Sequence, residues 1–190
     1  QLRAVARDAA LKEMVKLDDE VICLRRSEGF LLRALESGGL VHIDCATIEQ
    51  LYEQLTETAA AEHETLNKTR ILEDLTAQGR VFPAFIGHGI AIPHVYCDGL
   101  DTRICFVAQL KHPLEIPNQK EAIHVVFFLI SPRGDTEGHL AALAEIARDC
   151  RNTAKRQGLN RAESIEEVIR VIQASRFNPK PKVLSRSGQA

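Results

Sequence analysis

The chain lacks any cysteine framework. Its five cysteines (Cys23, Cys45, Cys97, Cys105 and Cys150) are odd in number, scattered and without a CxxC step. That argues against a disulfide scaffold and leaves free, buried thiols of a reducing compartment. A basic excess is also missing. The net charge is −2, so no nucleic-acid binder held by counterion release is expected. No apolar run approaches the ~18–20 residues of a membrane span, and "IHVVFFLI" at Ile123–Ile130 has the length of a strand. No direct membrane insertion of this segment is therefore expected. No stretch has the order of a signal peptide, and a cytoplasmic location is the expectation. No internal repeat is visible. What remains is a chain of 190 residues, 45% hydrophobic and 26% charged, enough for one globular domain with short extensions. It begins at Gln1 and not at methionine, which suggests a piece of something longer.

Apolar spacing predicts helices over Gln1–Lys16, Glu28–Glu36, Thr47–Glu62 (Thr47 as N-cap), Leu66–Ala77, the stretch from about Thr136 onward, and Ser164–Ala174. "RICFVAQL" at Arg103–Leu110 and "IHVVFFLI" read as strands, the second so uniformly apolar that both of its faces should be covered. "HPLEIPN" between them reads as a turn. The charges of Arg151–Arg161 read as a solvated loop, and the tail after Arg176, with two prolines and no apolar period, as disordered. The sum is an α/β layer fold with one sheet.

One stretch asks for more than packing. "IGHGIAIPH" at Ile86–His94 sets two glycines, an apolar run and a proline directly before a histidine. The glycines permit unusual backbone and close approach, and the proline ends regular pairing. A strand that stops there presents His94 at the end of the sheet, where ligands bind in α/β folds. A half-unprotonated imidazole is a competent nucleophile, and phosphoryl transfer asks the protein mainly for position and charge stabilisation. His139, in the first turn of a helix, is a second imidazole in a place that favours anions and opposes its own protonation. A helix-capping or buried hydrogen-bonded histidine is an equal reading of it. His88, His94, Cys97 and His139 are zinc-competent types, but their spacing matches no familiar module. No metal site and no cofactor are expected. His124 reads as a core residue, while His42, His63 and His112 read as surface residues.

"IGHGIAIPH", two strands and then "HLAALAEIA" are similar to the enzyme IIA domain of the phosphoenolpyruvate-dependent sugar phosphotransferase system, mannitol/fructose type, which includes the nitrogen-regulatory branch. The resemblance spans about Leu40 to Ala174. It implies a single mixed β-sheet flanked by helices on both faces, as residues 37–176, after an N-terminal helical extension or linker (1–36) and before a tail (177–190). It further implies that His94 is phosphorylated by the histidine-containing phosphocarrier protein, with His139 as the neighbouring active-site histidine. In sugar-transporting members the phosphoryl group passes on to a IIB partner.

The stretch before the motif departs from the family pattern. Gln78 stands where the family carries an arginine, Arg80 lies two residues on, and Pro83-Ala84-Phe85 replace a polar turn. Arg80 is thus the candidate phosphate contact, and a regulatory role is expected ahead of bulk sugar transport. The alternative is a sensor or interaction module that has lost phosphotransfer and is attached to a membrane transporter.

Overall fold

In the computed structural model, residues 29–79, 84–117 and 119–174 are described. The helix expected over Gln1–Lys16, the tail 177–190, Cys23 and Arg80 lie outside them. In chain order the elements are α1 (Phe30–Glu36), β1 (Leu40–Ile43), α2 (Ile48–Glu62), α3 (Lys68–Gly79), β2 (Phe85–Gly87), β3 (Ile90–Ala91), β4 (His94–Cys97), β5 (Ile104–Leu114), β6 (Ile123–Pro132), α4 (Thr136–Cys150), α5 (Thr153–Arg161) and α6 (Ile165–Gln173).

The six strands form one mixed sheet in the order β1-β5-β6-β3-β2, with β4 also paired to β6. β5 and β6 are antiparallel, while β1 runs parallel to β5, and β3 and β4 run parallel to β6. The period of two along β5 and β6 divides the core. Ile104, Phe106, Ala108, Val126, Phe128 and Ile130 meet Leu51 and Leu55 of α2 and Ile71 and Leu75 of α3. Cys105, Val107, Val125, Phe127 and Leu129 meet α1, α4, α5 and α6 on the other face. Both faces of β6 are covered, which is why its sequence is continuously apolar.

Several local expectations are corrected. β5 continues through His112 and Pro113 to Leu114, with a register irregularity between Gln109 and Leu114 that accommodates the proline. The charged run after Arg151 contains α5, capped by Asn152 and tied to the sheet by Gln109, whose Nε2 donates to the carbonyls of Leu159 and Ala162 at 2.6 and 2.8 Å. Its Lys155 is buried, with Nζ on Asp149 at 2.9 Å and on the Ile172 carbonyl at 2.6 Å. His124 is exposed, because it lies at the end of β6 beside the β2–β3 turn and outside the covered stretch. His63 is half-buried, with Nε2 on the Ser37 carbonyl and its ring edge-on to Phe106. Phe30–Glu36, grouped with the extension on sequence, packs Leu31, Ala34 and Leu35 wholly into the second core.

Candidate functional site

The glycines before the proline build a turn. Gly87, His88 and Gly89 all have positive φ (89°, 56° and 74°) and join β2 to β3. The His88 N–H donates to the Glu121 carboxylate at 2.5 Å, and a side chain at Gly89 would press on the His124 ring. The approach the sequence offered for an anion is thus spent on a hairpin some residues short of His94.

Pro93 interrupts the strand without ending it. β3 and β4 both pair with β6 at a constant offset of 35 residues (Ile90 with Val125, His94 with Leu129). The Pro93 carbonyl accepts from the Leu129 N–H at 3.0 Å, while Ile92 faces the other edge and donates its N–H to Ala84. The Ile92 carbonyl accepts from His94 Nδ1 at 2.7 Å. A carbonyl only accepts, so Nδ1 carries the proton and Nε2 keeps the lone pair. The half-buried ring is pulled below the ordinary histidine range by burial, against the opposing pull of that hydrogen bond.

Parity assembles the rest. His94 and Tyr96 share a face of β4, and their register partners Leu129 and Ser131 share the same face of β6. α4 starts at Thr136, shortly after β6 ends, on that face, and Asp135 caps it by accepting from the Gly138 N–H at 3.1 Å. Its first turn carries His139 to 5.3 Å from the His94 ring, centroid to centroid, and to 4.2 Å from the Tyr96 ring. Burial pushes the Tyr96 phenol up from its ordinary range, with the Thr136 side chain pulling the other way. His139 is 2% exposed, with Nδ1 at 2.8 Å from the Ser131 hydroxyl. Its pKa falls to about 4, chiefly through burial and then through the facing His94 and Arg103. The neutral form expected from a helix N-terminus is therefore held mainly by desolvation.

Arg103, at the head of β5, reaches Asp135 with one guanidinium nitrogen, and the guanidinium lies 5.0 Å over the Phe30 ring. Tyr96, Ser131 and Arg103 were not singled out from the sequence. The available signals were an i+2 position from His94, a hydroxyl ending an apolar strand, and a cation opening a buried one. Arg80 and Val81–Pro83, with the side chain of Gln78, lie outside the described residues, so the candidate phosphate contact has no place here. Among the described residues no three His, Cys, Asp or Glu converge on a metal position, and no helix is long and apolar enough to cross a membrane. An open cleft lined by Asp44, Cys45, Gln50, His112 and Glu115 contains none of the site residues.

The chain is similar to known proteins. The family model described as "Phosphoenolpyruvate-dependent sugar phosphotransferase system, EIIA 2" matches residues 38–175. A nitrogen regulatory protein of Pseudomonas aeruginosa is 28% identical over 134 residues, covering 70% of this chain and 87% of the relative. The crystal structure of the nitrogen regulatory protein IIA-Ntr from Neisseria meningitidis superposes with a TM-score of 0.63 at 22% identity, over 73% of this chain and 94% of the other. Enzyme IIA of mannitol from Escherichia coli, solved in complex with phosphorylated enzyme IIB, gives 0.55 at 14% identity, over 71% and 94%.

Proposed function

The chain belongs to the phosphoenolpyruvate-dependent sugar phosphotransferase system EIIA 2 family, and from that premise we propose that it is a regulatory phosphocarrier domain that accepts a phosphoryl group on Nε2 of His94. The donor is the histidine-containing phosphocarrier protein. The observation that carries the reading is the pair of imidazoles 5.3 Å apart whose Nδ1 atoms are both engaged away from each other, on the Ile92 carbonyl and on the Ser131 hydroxyl. Nε2 is thereby the reactive nitrogen of His94.

In the proposed step the Nε2 lone pair attacks phosphorus while the P–N bond of the donor phosphohistidine breaks, its electron pair returning to the donor ring. The charge that develops on the His94 imidazole is steadied by the Ile92 carbonyl. Ser131 donates to Nδ1 of His139, whose Nε2–H then donates to a phosphoryl oxygen. With its Nδ1 lone pair taken by the Ser131 hydroxyl, neutral His139 is left with an Nε2–H that donates and does not compete as a nucleophile. The likeness to nitrogen regulatory relatives supports a regulatory role. A IIB domain or a regulated transporter is the downstream partner, and the cytoplasm is its place. The division into an extension, a IIA-like unit and a tail belongs to the same proposal, with α1 counted in the unit because its apolar face is buried.

The test is incubation with phosphoenolpyruvate, enzyme I and the phosphocarrier, read by intact mass. An acid-labile gain of one phosphoryl group is expected, lost in His94→Ala with the circular dichroism spectrum unchanged. A folded wild-type chain that gains nothing would instead make it an interaction module without phosphotransfer.

A further inference from the structure

The proposed transfer leaves one buried charge without a task. Arg103 precedes β5, and its side chain is 13% exposed. Its Nε is buried with no hydrogen-bond partner among the described residues. A guanidinium placed only to satisfy its donors would not sit this way.

We propose that Arg103 is a positioning residue of this site, clamping the first turn of α4 through Asp135 and so fixing the ring of His139 beside His94. The inference rests on the reading of His139 as the group that steadies the phosphoryl. Three contacts carry it. The Asp135 carboxylate divides its oxygens, Oδ1 accepting from the Gly138 N–H and Oδ2 from Arg103. One side chain thus ties the helix start to the head of β5. The Phe30 ring supports the guanidinium from α1 by a cation–π contact. Position 138 is glycine in the one place where a Cβ would collide with both the Arg103 guanidinium and the Asp135 carboxylate.

The clamp has an electrostatic side as well. The groups facing His139 are His94 and Tyr96 from β4, Ser131 from β6, and Arg103. Around Arg103 stand Asp135 at the start of α4, Arg33 of α1 and Glu145 of α4. With Asp135 taken up by the pair, the cation adds to the resistance of His139 to protonation.

Three variants of the full chain separate the outcomes: Arg103→Met, Arg103→Lys and Gly138→Ala. Each is read twice, by NMR titration of the His139 imidazole in the unphosphorylated protein and by the initial rate of phosphorylation from the phosphocarrier. Arg103→Met is expected to raise the titration of His139 by about half a unit or more and to slow phosphorylation about tenfold or more through misplacement of the ring. Arg103→Lys keeps the cation, so it restores the titration and only part of the rate, since an ammonium lacks the planar fork. Gly138→Ala improves intrinsic helix propensity, yet is expected to show the same loss of rate because it displaces the guanidinium. A wild-type titration together with a wild-type rate in Arg103→Met overturns the proposal. If Arg103→Met does not fold, a wild-type rate in Gly138→Ala overturns it. Wild-type protein that takes up no phosphoryl group refutes the proposed function instead, and the titrations still decide whether the clamp sets His139.

Discussion

At the residue scale, one backbone carbonyl determines the chemistry of His94. The Ile92 oxygen fixes which ring nitrogen bears the proton, and burial keeps the ring neutral below the usual histidine range. His139 is likewise held down, to about 4. The sign of the linkage follows. Below the ordinary pKa of about 6.5 the unfolded chain binds a proton that folded His139 refuses, so stability falls as pH falls from about 6.5 towards 4. The shift corresponds to roughly 3 kcal/mol lost across that window. Urea denaturation at pH 7 and pH 4.5 should show the loss, and His139→Gln should reduce it, with the lowered His94 supplying a further contribution of the same sign. Of the site, the two histidines were legible in sequence, because a Gly-Ile-Pro-His run and a helix first turn are local signals. Tyr96, Ser131 and Arg103 were not. Ser131 comes beside Tyr96 only through a strand pairing 35 residues away, and Arg103 acquires its place only when β5 and the start of α4 are brought together.

At the scale of elements, the β2–β3 hairpin relies on three consecutive residues with left-handed backbone. Gly89 is the least replaceable of them. A Cβ there would stand 2.7 Å from the His124 ring and 3.2 Å from the Ala122 carbonyl, on top of the strain of a positive φ. Gly89→Ala should therefore cost about 1–3 kcal/mol, measured as a lowered midpoint of chemical denaturation, with His94 still able to take up a phosphoryl group if the hairpin reforms. The long strands and the main helices could be read from spacing alone. α5 could not, since its single buried cation looks like any other in a charged run. Its lysine is buried because Asp149 and the Ile172 carbonyl await it, and neither is adjacent in sequence. β1 and β3 are too short for an alternation to be seen.

For the molecule as a whole, the two cores on either side of the sheet are closed by different helices, and α1 is part of the second. The family match begins at residue 38, beyond α1. A chain trimmed to that point would lose Leu31 and Leu35, both fully buried. Each such leucine contributes about 1.5–3 kcal/mol, against typical domain stabilities of about 5–15 kcal/mol. The trimmed chain should unfold at markedly lower temperature than one beginning at residue 29, or lose a cooperative transition altogether, as calorimetry would register.

The unbroken register across Pro93 also says where the chain can change length. A residue added or removed within the Gly87–Gly89 turn disrupts the turn but leaves the pairing of β4 with β6 in register. The same change between Ala91 and His94 would turn the imidazole through the sheet, towards α2 and α3 and away from its companion ring. Descendants of this sequence are held to a fixed count in the second place.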